Sequence, residues 1–449
     1  MARAMKDSGI PWIGKIPENW NYGKCKSILC VNDGGVWGND PLEDGSDKIV
    51  IRSTEQTIDG NWCIDNPAKR DLSNVDYTNS LIVEGDLLIT KSSGSDLHIG
   101  KTTIADSYFS KNECYFSNFI QRIRCNDTYI PRLLWYIFNS SLVREQCVFL
   151  QNSTSGIGNI NASIIDNLYI PIPERTEQKR IIAYLDTECA RIDAVMEQTR
   201  ESIEEYKKLK QSVITQAVTK GIRPNRPMKD SGIEWIGEIP ESWDMVKLKY
   251  FLSSDKVNLR VGPFGSALSG ADIKQEGVWV YNQRVVIDNN FTETNTFISE
   301  EKYEELKGFE VLPDDVLITT RGSIGKVAIV PPNAERGVLH PCVIKFRVDQ
   351  NLISHTLIWY IFNCTDIAMR QIKDMSNSTT IEVLYSYSLR NVQIPLIPEE
   401  ERKEIEEYIV SVANEYDRMI ECKKRLLIEL EEYKRALIFE YVTGKKEVV

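Results

Sequence analysis

Two long stretches of the chain repeat apolar residues at alternating steps of three and four. In the first, the series Ile182, Leu185, Cys189, Ile192, Met196, Thr199, Ile203, Tyr206, Lys210, Val213 and Ala217 has nine of eleven members fit to pack in a seam. In the second, Ile405, Ile409, Val412, Tyr416, Met419, Lys423, Leu426, Leu430, Tyr433 and Leu437 give nine of ten. Neither stretch contains Gly or Pro, and each follows a Pro and a Glu-rich first turn, at Pro173-Glu-Arg-Thr-Glu-Gln178 and Pro398-Glu-Glu-Glu-Arg402. Gly221-Ile-Arg-Pro224 and Gly444 supply the stops. The pattern predicts two helices of about 44 residues, each about 66 Å long at 1.5 Å per residue. Two matched heptad segments in one chain predict an antiparallel coiled coil, with Lys210 and Lys423 as polar positions that set register. The alternative is a pair of ordinary amphipathic helices, each buried against its own domain.

Elsewhere the runs are short, β-branched and bounded by Gly, Asp or Pro: Lys48–Arg52, Asp86–Thr90, Val278–Tyr281 and Val327–Val330. Pro131–Asn139 and Leu357–Asn363 read as short helices. The fold class is therefore α/β, in the mixed α+β sense.

The chain is also one unit written twice. Met5-Lys-Asp-Ser-Gly-Ile-Pro-Trp-Ile-Gly-Lys-Ile-Pro-Glu-Asn-Trp20 returns as Met228-Lys-Asp-Ser-Gly-Ile-Glu-Trp-Ile-Gly-Glu-Ile-Pro-Glu-Ser-Trp243, identical at thirteen of sixteen positions at an offset of 223. Weaker echoes follow in order: Asp86–Thr90 with Asp315–Thr319, Ile99-Gly100-Lys101 with Ile324-Gly325-Lys326, Leu134–Asn139 with Ile358–Asn363, and Ile170-Pro171 with Ile394-Pro395. The stretches between them diverge. The predicted division is a first module at 1–170, a first helix at 171–223, a second module at 224–395 and a second helix at 396–449. An antiparallel helix pair would relate the modules by a pseudo-two-fold axis and place them at opposite ends.

Composition narrows the function. The ten cysteines are scattered without a CxxC pair, which fits reduced thiols in the cytoplasm better than a disulfide framework or a zinc site. No apolar run approaches a membrane span, and the first residues lack an apolar signal core. The net charge is −11 and none of the four segments is strongly basic. A chain of this charge that binds DNA needs local basic loops, or partners that share the backbone contacts.

The duplicated MKDSGI-x-WIG-x-IP-x-x-W segment resembles the specificity subunits of type I restriction-modification systems. Gly262-Pro-Phe-Gly-Ser266, Asp315–Lys326 and Ile170–Ile181 carry the same resemblance, which covers nearly the whole chain in order. It implies two target recognition domains, each reading one half of a split asymmetric site in double-stranded DNA, with two helices as spacer. It implies modification subunits as partners, two of them, which methylate adenine, and restriction subunits that cleave. S-adenosylmethionine, ATP and Mg are then expected on the partners only, and no cofactor on this chain. Three departures stand out: the extra residue in Pro395-Leu-Ile-Pro398, Glu401-Arg402 in place of Glu177-Gln178, and Lys91-Ser-Ser-Gly94 against Arg321-Gly-Ser323.

Candidate DNA contacts follow from residue chemistry at strand ends. Arg321, Ser323 and Lys326 lie in a Gly-punctuated loop suited to a phosphate or a guanine edge, or to a plain hairpin with a solvated Arg. Lys91, Ser92, Ser93 and Lys101 are the first-module equivalents. Arg52, Thr54 and Gln56, and Asn282, Gln283 and Arg284, follow apolar strands; Asn and Gln pair with adenine, or else serve as satisfied strand ends. Gln151–Thr154 and Ser376–Thr380 are further polar loops. Trp12, Trp20, Trp235 and Trp243 do not differ between the repeats, so they are read as packing or as a docking surface rather than as base readers. His98, His340 and His355 lie far apart and are read as loop or surface residues. There is no Asn/Asp-Pro-Pro-Tyr/Phe methylation motif, since Pro331-Pro332-Asn333 does not fit it, and no GxxxxGK[ST] loop, so catalysis by this chain is not expected. The rival readings are an assembly scaffold that reads no sequence and an enzyme with an unrecognised site.

Overall fold

The computed structural model describes residues 3–73, 80–95, 97–154, 157–255, 257–264, 267–375 and 383–448. It divides into two compact units, Met1–Thr199 with Arg425–Val449, and Arg200–Lys424. The globular part of each unit is called a module below.

The four-stranded sheets of the two modules correspond strand for strand. In the first, a four-stranded antiparallel sheet has the order Leu29–Gly34, Ile120–Cys125, Leu87–Thr90, Thr102–Ile104. In the second, the order is Leu259–Val261, Val343–Phe346, Val316–Thr319, Val327–Ile329, again antiparallel. A second small sheet accompanies each. Lys48–Ile51 pairs in parallel with Tyr115–Phe116, and Val278–Tyr281 in parallel with Gly337–Leu339. The strands Leu87–Thr90 and Val316–Thr319 are buried throughout, which accounts for their unbroken apolar character.

The sequence echoes are the joints of this scaffold. Asp86 is buried; its carboxylate accepts the Val83 amide at 2.9 Å and pairs with Arg124 at 2.6 Å. Asp315 accepts the Leu312 amide at 2.8 Å and pairs with Arg347 and Lys345 at 2.6 and 2.8 Å. Asn139 ends the helix Pro131–Asn139 and exchanges hydrogen bonds with the backbone of Thr102; Asn363 does the same with Val327. A buried ion stays stable only when paired and hydrogen-bonded, so these acids leave little room for substitution.

The long repeat folds as a hairpin in each unit, Met5–Asp7 against Lys15–Pro17 and Met228–Asp230 against Glu238–Pro240. Trp20 and Trp243 are buried in the cores. Arg3 lies over the Trp20 ring and pairs with Glu177 at 2.8 Å, while Arg226 lies over Trp243 and pairs with Glu401 at 2.5 Å. The repeat, with the Arg that precedes each copy, therefore clamps the first turn of each long helix.

Those helices run Arg175–Lys220, 46 residues, and Glu399–Val442, 44 residues. They form an antiparallel coiled coil, seen separately in each unit. In the first, Tyr184 stacks near Tyr441 at 4.4 Å and Asp193 pairs with Lys434 at 2.6 Å. In the second, Tyr206 faces Tyr416 at 6.2 Å and Lys210 pairs with Asp417 at 2.6 Å. The seam corrects the heptad phase read from the sequence. It opens at Ile181 rather than Ile182, and in the second helix it runs through Ala413 and Ile420 rather than Val412 and Met419. Met419, Leu426 and Tyr433 are exposed. The cause is the pair of successive four-residue steps, Ile181–Leu185–Cys189 and Ile405–Ile409–Ala413. In the first helix these steps bring the stripe onto the predicted positions from Cys189 to Ile203, before it moves to Ile214 in place of Val213; in the second they move alternate positions by one residue, as 3.6 residues per turn permits.

Candidate nucleic-acid interface

In each module, one tight turn feeds the second strand of the four-stranded sheet, and the same backbone contacts hold it. In the first module the turn is Ser117–Asn118–Phe119. The Ser117 amide donates to Ile51 at 2.8 Å, the Ile120 amide to Ser117 at 3.0 Å, the Lys91 amide to Phe119 at 3.0 Å and the Gly35 amide to Ile120 at 3.4 Å. In the second module the turn is His340–Pro341–Cys342. The His340 amide donates to Tyr281 at 3.2 Å, the Val343 amide to His340 at 3.0 Å, the Thr320 amide to Cys342 at 3.0 Å and the Gly262 amide to Val343 at 3.0 Å. A glycine presses on each turn: a Cβ on Gly35 would sit 2.1 Å from the Phe116 carbonyl, and one on Gly262 would sit 2.1 Å from the His340 carbonyl. This close approach explains the Gly of Gly262-Pro-Phe; Gly265 and Ser266 of that motif lie outside the described residues. The backbone is the same in both modules while the side chains differ at every position of the turn.

A cavity of about 530 Å³ opens beside the first turn. Trp37 and Phe119 supply its aromatic surface; Arg52, Thr54, Ser92, Ser93 and Ser117 supply the polar one. Arg52 is tied to Glu55 at 2.8 Å and also donates to the Asn66 carbonyl at 3.0 Å. Thr54 is exposed, and Ser92 and Ser93 are half-buried on a short strand. The Ser117 hydroxyl is buried and meets no hydrogen-bond partner among the described residues. Burial pushes the Lys91 ammonium below its usual range.

Gln56 and Lys101 are drawn inward. The Gln56 amide donates to the Leu88 carbonyl and to Thr103 Oγ1, both at 2.7 Å, and its oxygen accepts from Thr90 at 2.8 Å. Lys101 Nζ donates to the carbonyls of Ser53 and Gln56 at 2.6 and 2.7 Å. Its pKa is lowered, first by burial and then by Arg144. In this structure both residues brace the loop that presents Arg52 and Thr54.

In the second module Asn282 caps the helix Gln283–Ile287, accepting the amides of Arg284 and Val285 at 3.0 and 3.2 Å. The Gln283 amide donates to the Arg321 carbonyl. Arg284 is exposed and pairs with Asp288 at 3.2 Å. Arg321 and Ser323 are exposed, and the Arg321 guanidinium has no partner among the described residues. Lys326 turns away from that loop. It lines a separate cleft of about 490 Å³ together with Lys207, Lys210 and Lys424. Of the other polar loops, the backbone of Asn152–Thr154 pairs with Ile157–Asn159, and Ser376–Thr380 lies outside the described residues. Trp12 and Trp235 are half-buried, Trp12 beside Phe149 at 5.6 Å and Trp235 beneath Arg370 at 5.0 Å.

The family model of the type I restriction modification DNA specificity domain matches residues 17–205 and again residues 253–432. The chain belongs to this family. It is 26% identical to a putative type I restriction enzyme MjaX specificity subunit of Methanocaldococcus jannaschii, over 97% of this chain and 96% of that protein. It is 25% identical to the StySPI specificity subunit of Salmonella potsdam, over 87% and 81%. Among solved structures, a chain from work on complex assembly and conformational transition of the type I R-M system aligns with a TM-score of 0.69 at 16% identity, over 96% and 99% of the two chains. The HsdS subunit of Thermoanaerobacter tengcongensis aligns at 0.51, also at 16% identity, over 98% and 100%. Both likenesses concern the fold.

Within this specificity-subunit fold, Trp37, Ser117–Phe119, Pro341 and Cys342 went unnoticed in the sequence, and His340 was read only as a loop or surface residue. They are ordinary polar and aromatic residues at strand ends. The available signal was the repeat itself: matched strands enclosing three positions that never agree.

Proposed function

We propose that this chain is the non-catalytic, DNA-reading subunit of a type I restriction-modification complex. Each module reads one half of a bipartite, asymmetric site in double-stranded DNA. The observation that carries the proposal is the pair of equivalent turns, Ser117–Phe119 and His340–Cys342, held by the same backbone bonds with different side chains. A scaffold that read no sequence would have no use for different side chains on a turn whose backbone is held alike in both modules. Around the turns stand Arg52, Thr54, Ser92 and Ser93 in one module, and Gln283, Arg284, Arg321 and Ser323 in the other. These residue types suit phosphate positioning and base-edge contact.

The acidic net charge of −11 leaves much of the backbone neutralisation to partners. Two modification subunits would methylate adenine, each flipping its base into its own pocket, and restriction subunits would cleave. S-adenosylmethionine, ATP and Mg would reside on those partners, in the cytoplasm. Among the described residues, no helix is long and apolar enough to cross a membrane. The test is single-molecule sequencing of adenine methylation in cells carrying the modification partner, with and without this chain. A split motif that depends on the chain is the expected result. Methylation without any enriched split motif would favour the scaffold reading, and methyl transfer by the purified chain alone would favour an enzyme.

A further inference from the structure

We infer that the turn Ser117–Asn118–Phe119 recognises a thymine in the half-site read by the first module. The Phe119 ring meets the 5-methyl group and the Ser117 hydroxyl donates to O4. The inference rests on the reading of this module as a DNA reader, and it assigns the base class and the residues.

Phe119 and Ser117 share one concave site, the cavity of about 530 Å³. The Phe119 ring is 54% exposed on a turn whose backbone is held by hydrogen bonds, so its Cα is placed before any ligand arrives. A rigid aromatic group beside a concavity contacts a ligand with little loss of rotamer entropy. Ser117 is 1% exposed and its hydroxyl meets no partner among the described residues. An unmade hydrogen bond at a buried hydroxyl is unfavourable in the free protein, and a base acceptor that uncovers the closed Oγ on binding recovers the loss. The Arg52 guanidinium on the same wall is engaged by Glu55, so the neutral groups are left to discriminate.

A hydroxyl can donate to O4 or accept from an amino group, so the apolar ring decides, and it matches one base edge best. In the major groove thymine alone presents a methyl group beside an acceptor, O4. Cytosine offers an amino donor at that place and no methyl. Guanine offers two acceptors and would favour a cation.

The experiment uses the complex assembled with its modification subunits and duplexes carrying its own methylated motif. The first-module half is assigned by exchanging residues 244–393, which leaves that half unchanged. Each thymine in that half is replaced in turn by deoxyuridine, which lacks only the methyl group. The wild-type complex should lose roughly fourfold in binding at one position, the value expected for one buried methyl. Phe119→Ala should bind the thymine and deoxyuridine duplexes equally, and Phe119→Leu should keep part of the preference. Ser117→Ala should weaken binding to both duplexes while the methyl preference stays. Undiminished discrimination in the second half-site shows that each variant is folded. A first half-site without any A·T pair, or a Phe119→Ala complex that still prefers thymine over deoxyuridine, overturns the inference and leaves the two-module reading intact. Absence of any split motif in the wild type overturns both.

Discussion

Arg321 and Lys101 show what a residue's identity does and does not determine. Both sit near the Ile-Gly-Lys echo at the end of a buried strand. Arg321 reaches solvent from a loop whose carbonyl is held by Gln283, free to face a ligand. Replacing it in the complex, Arg321→Ala, should relax base choice at one position of the second half-site by about 1–3 kcal/mol and leave the first half-site unchanged. Competition binding with single-base variants measures this. Lys101 and Lys326 occupy the same place in the echo, yet one is buried and the other lines a cleft. The difference lies in their surroundings: the first module offers the Ser53 and Gln56 carbonyls to the ammonium, whereas the second has an Asn-capped helix there. Chemistry suited to DNA was legible at these positions, but direction was not, because a strand end points in or out according to loops far away in sequence.

His340 adds a prediction at the same scale. Burial holds its imidazole below the usual range, and the Cys342 amide donates to Nδ1 at 3.1 Å, which also favours the neutral ring. The unfolded chain takes up a proton near pH 6.5, and the folded chain resists it until lower pH. The contribution to stability is therefore present above about pH 6.5 and is lost as pH falls from there toward the folded value. Wild-type protein should lose more melting temperature between about pH 7 and 5.5 than His340→Gln does, followed by circular dichroism.

At the scale of elements, the coiled coil carries a duplicated pair. Asp193 with Lys434 and Lys210 with Asp417 occupy corresponding places in the two repeats, each partner displaced by 224 residues from its counterpart. Lys210 was legible as a polar interruption of the seam. Lys434 was not, because the heptad count put Tyr433 there and two consecutive four-residue steps displaced the stripe. Asp417→Lys should destabilise the protein by about 0.5–1 kcal/mol, as a partly exposed pair allows, and adding Lys210→Asp should restore most of the loss. Urea titration of both variants separates a specific pair from a general effect of charge. The strands and short helices were largely legible, since β-branched runs and the repeated Asp and Asn joints mark them. The two matched turns were not, because glycine approach and backbone clamping leave no mark on Ser-Asn-Phe or His-Pro-Cys.

At the scale of the whole molecule, the duplication and the helix pair were plain in the sequence; the twofold family match agrees with the first and the two long helices with the second. Which residues gather around the matched turns was not, since that depends on how divergent loops close over a shared scaffold. If the helix pair sets the gap between half-sites, one extra heptad in each helix adds about 10 Å, or roughly three base pairs. Methylome sequencing should then show a longer spacer or no methylation, and an unchanged spacer would contradict a measuring role.

The most direct test of two independent readers is the exchange of residues 244–393 for the corresponding segment of another specificity subunit, read out as the methylated motif. The account predicts that one half of the motif changes while the other half persists base for base. A motif altered in both halves, or in neither, would contradict it.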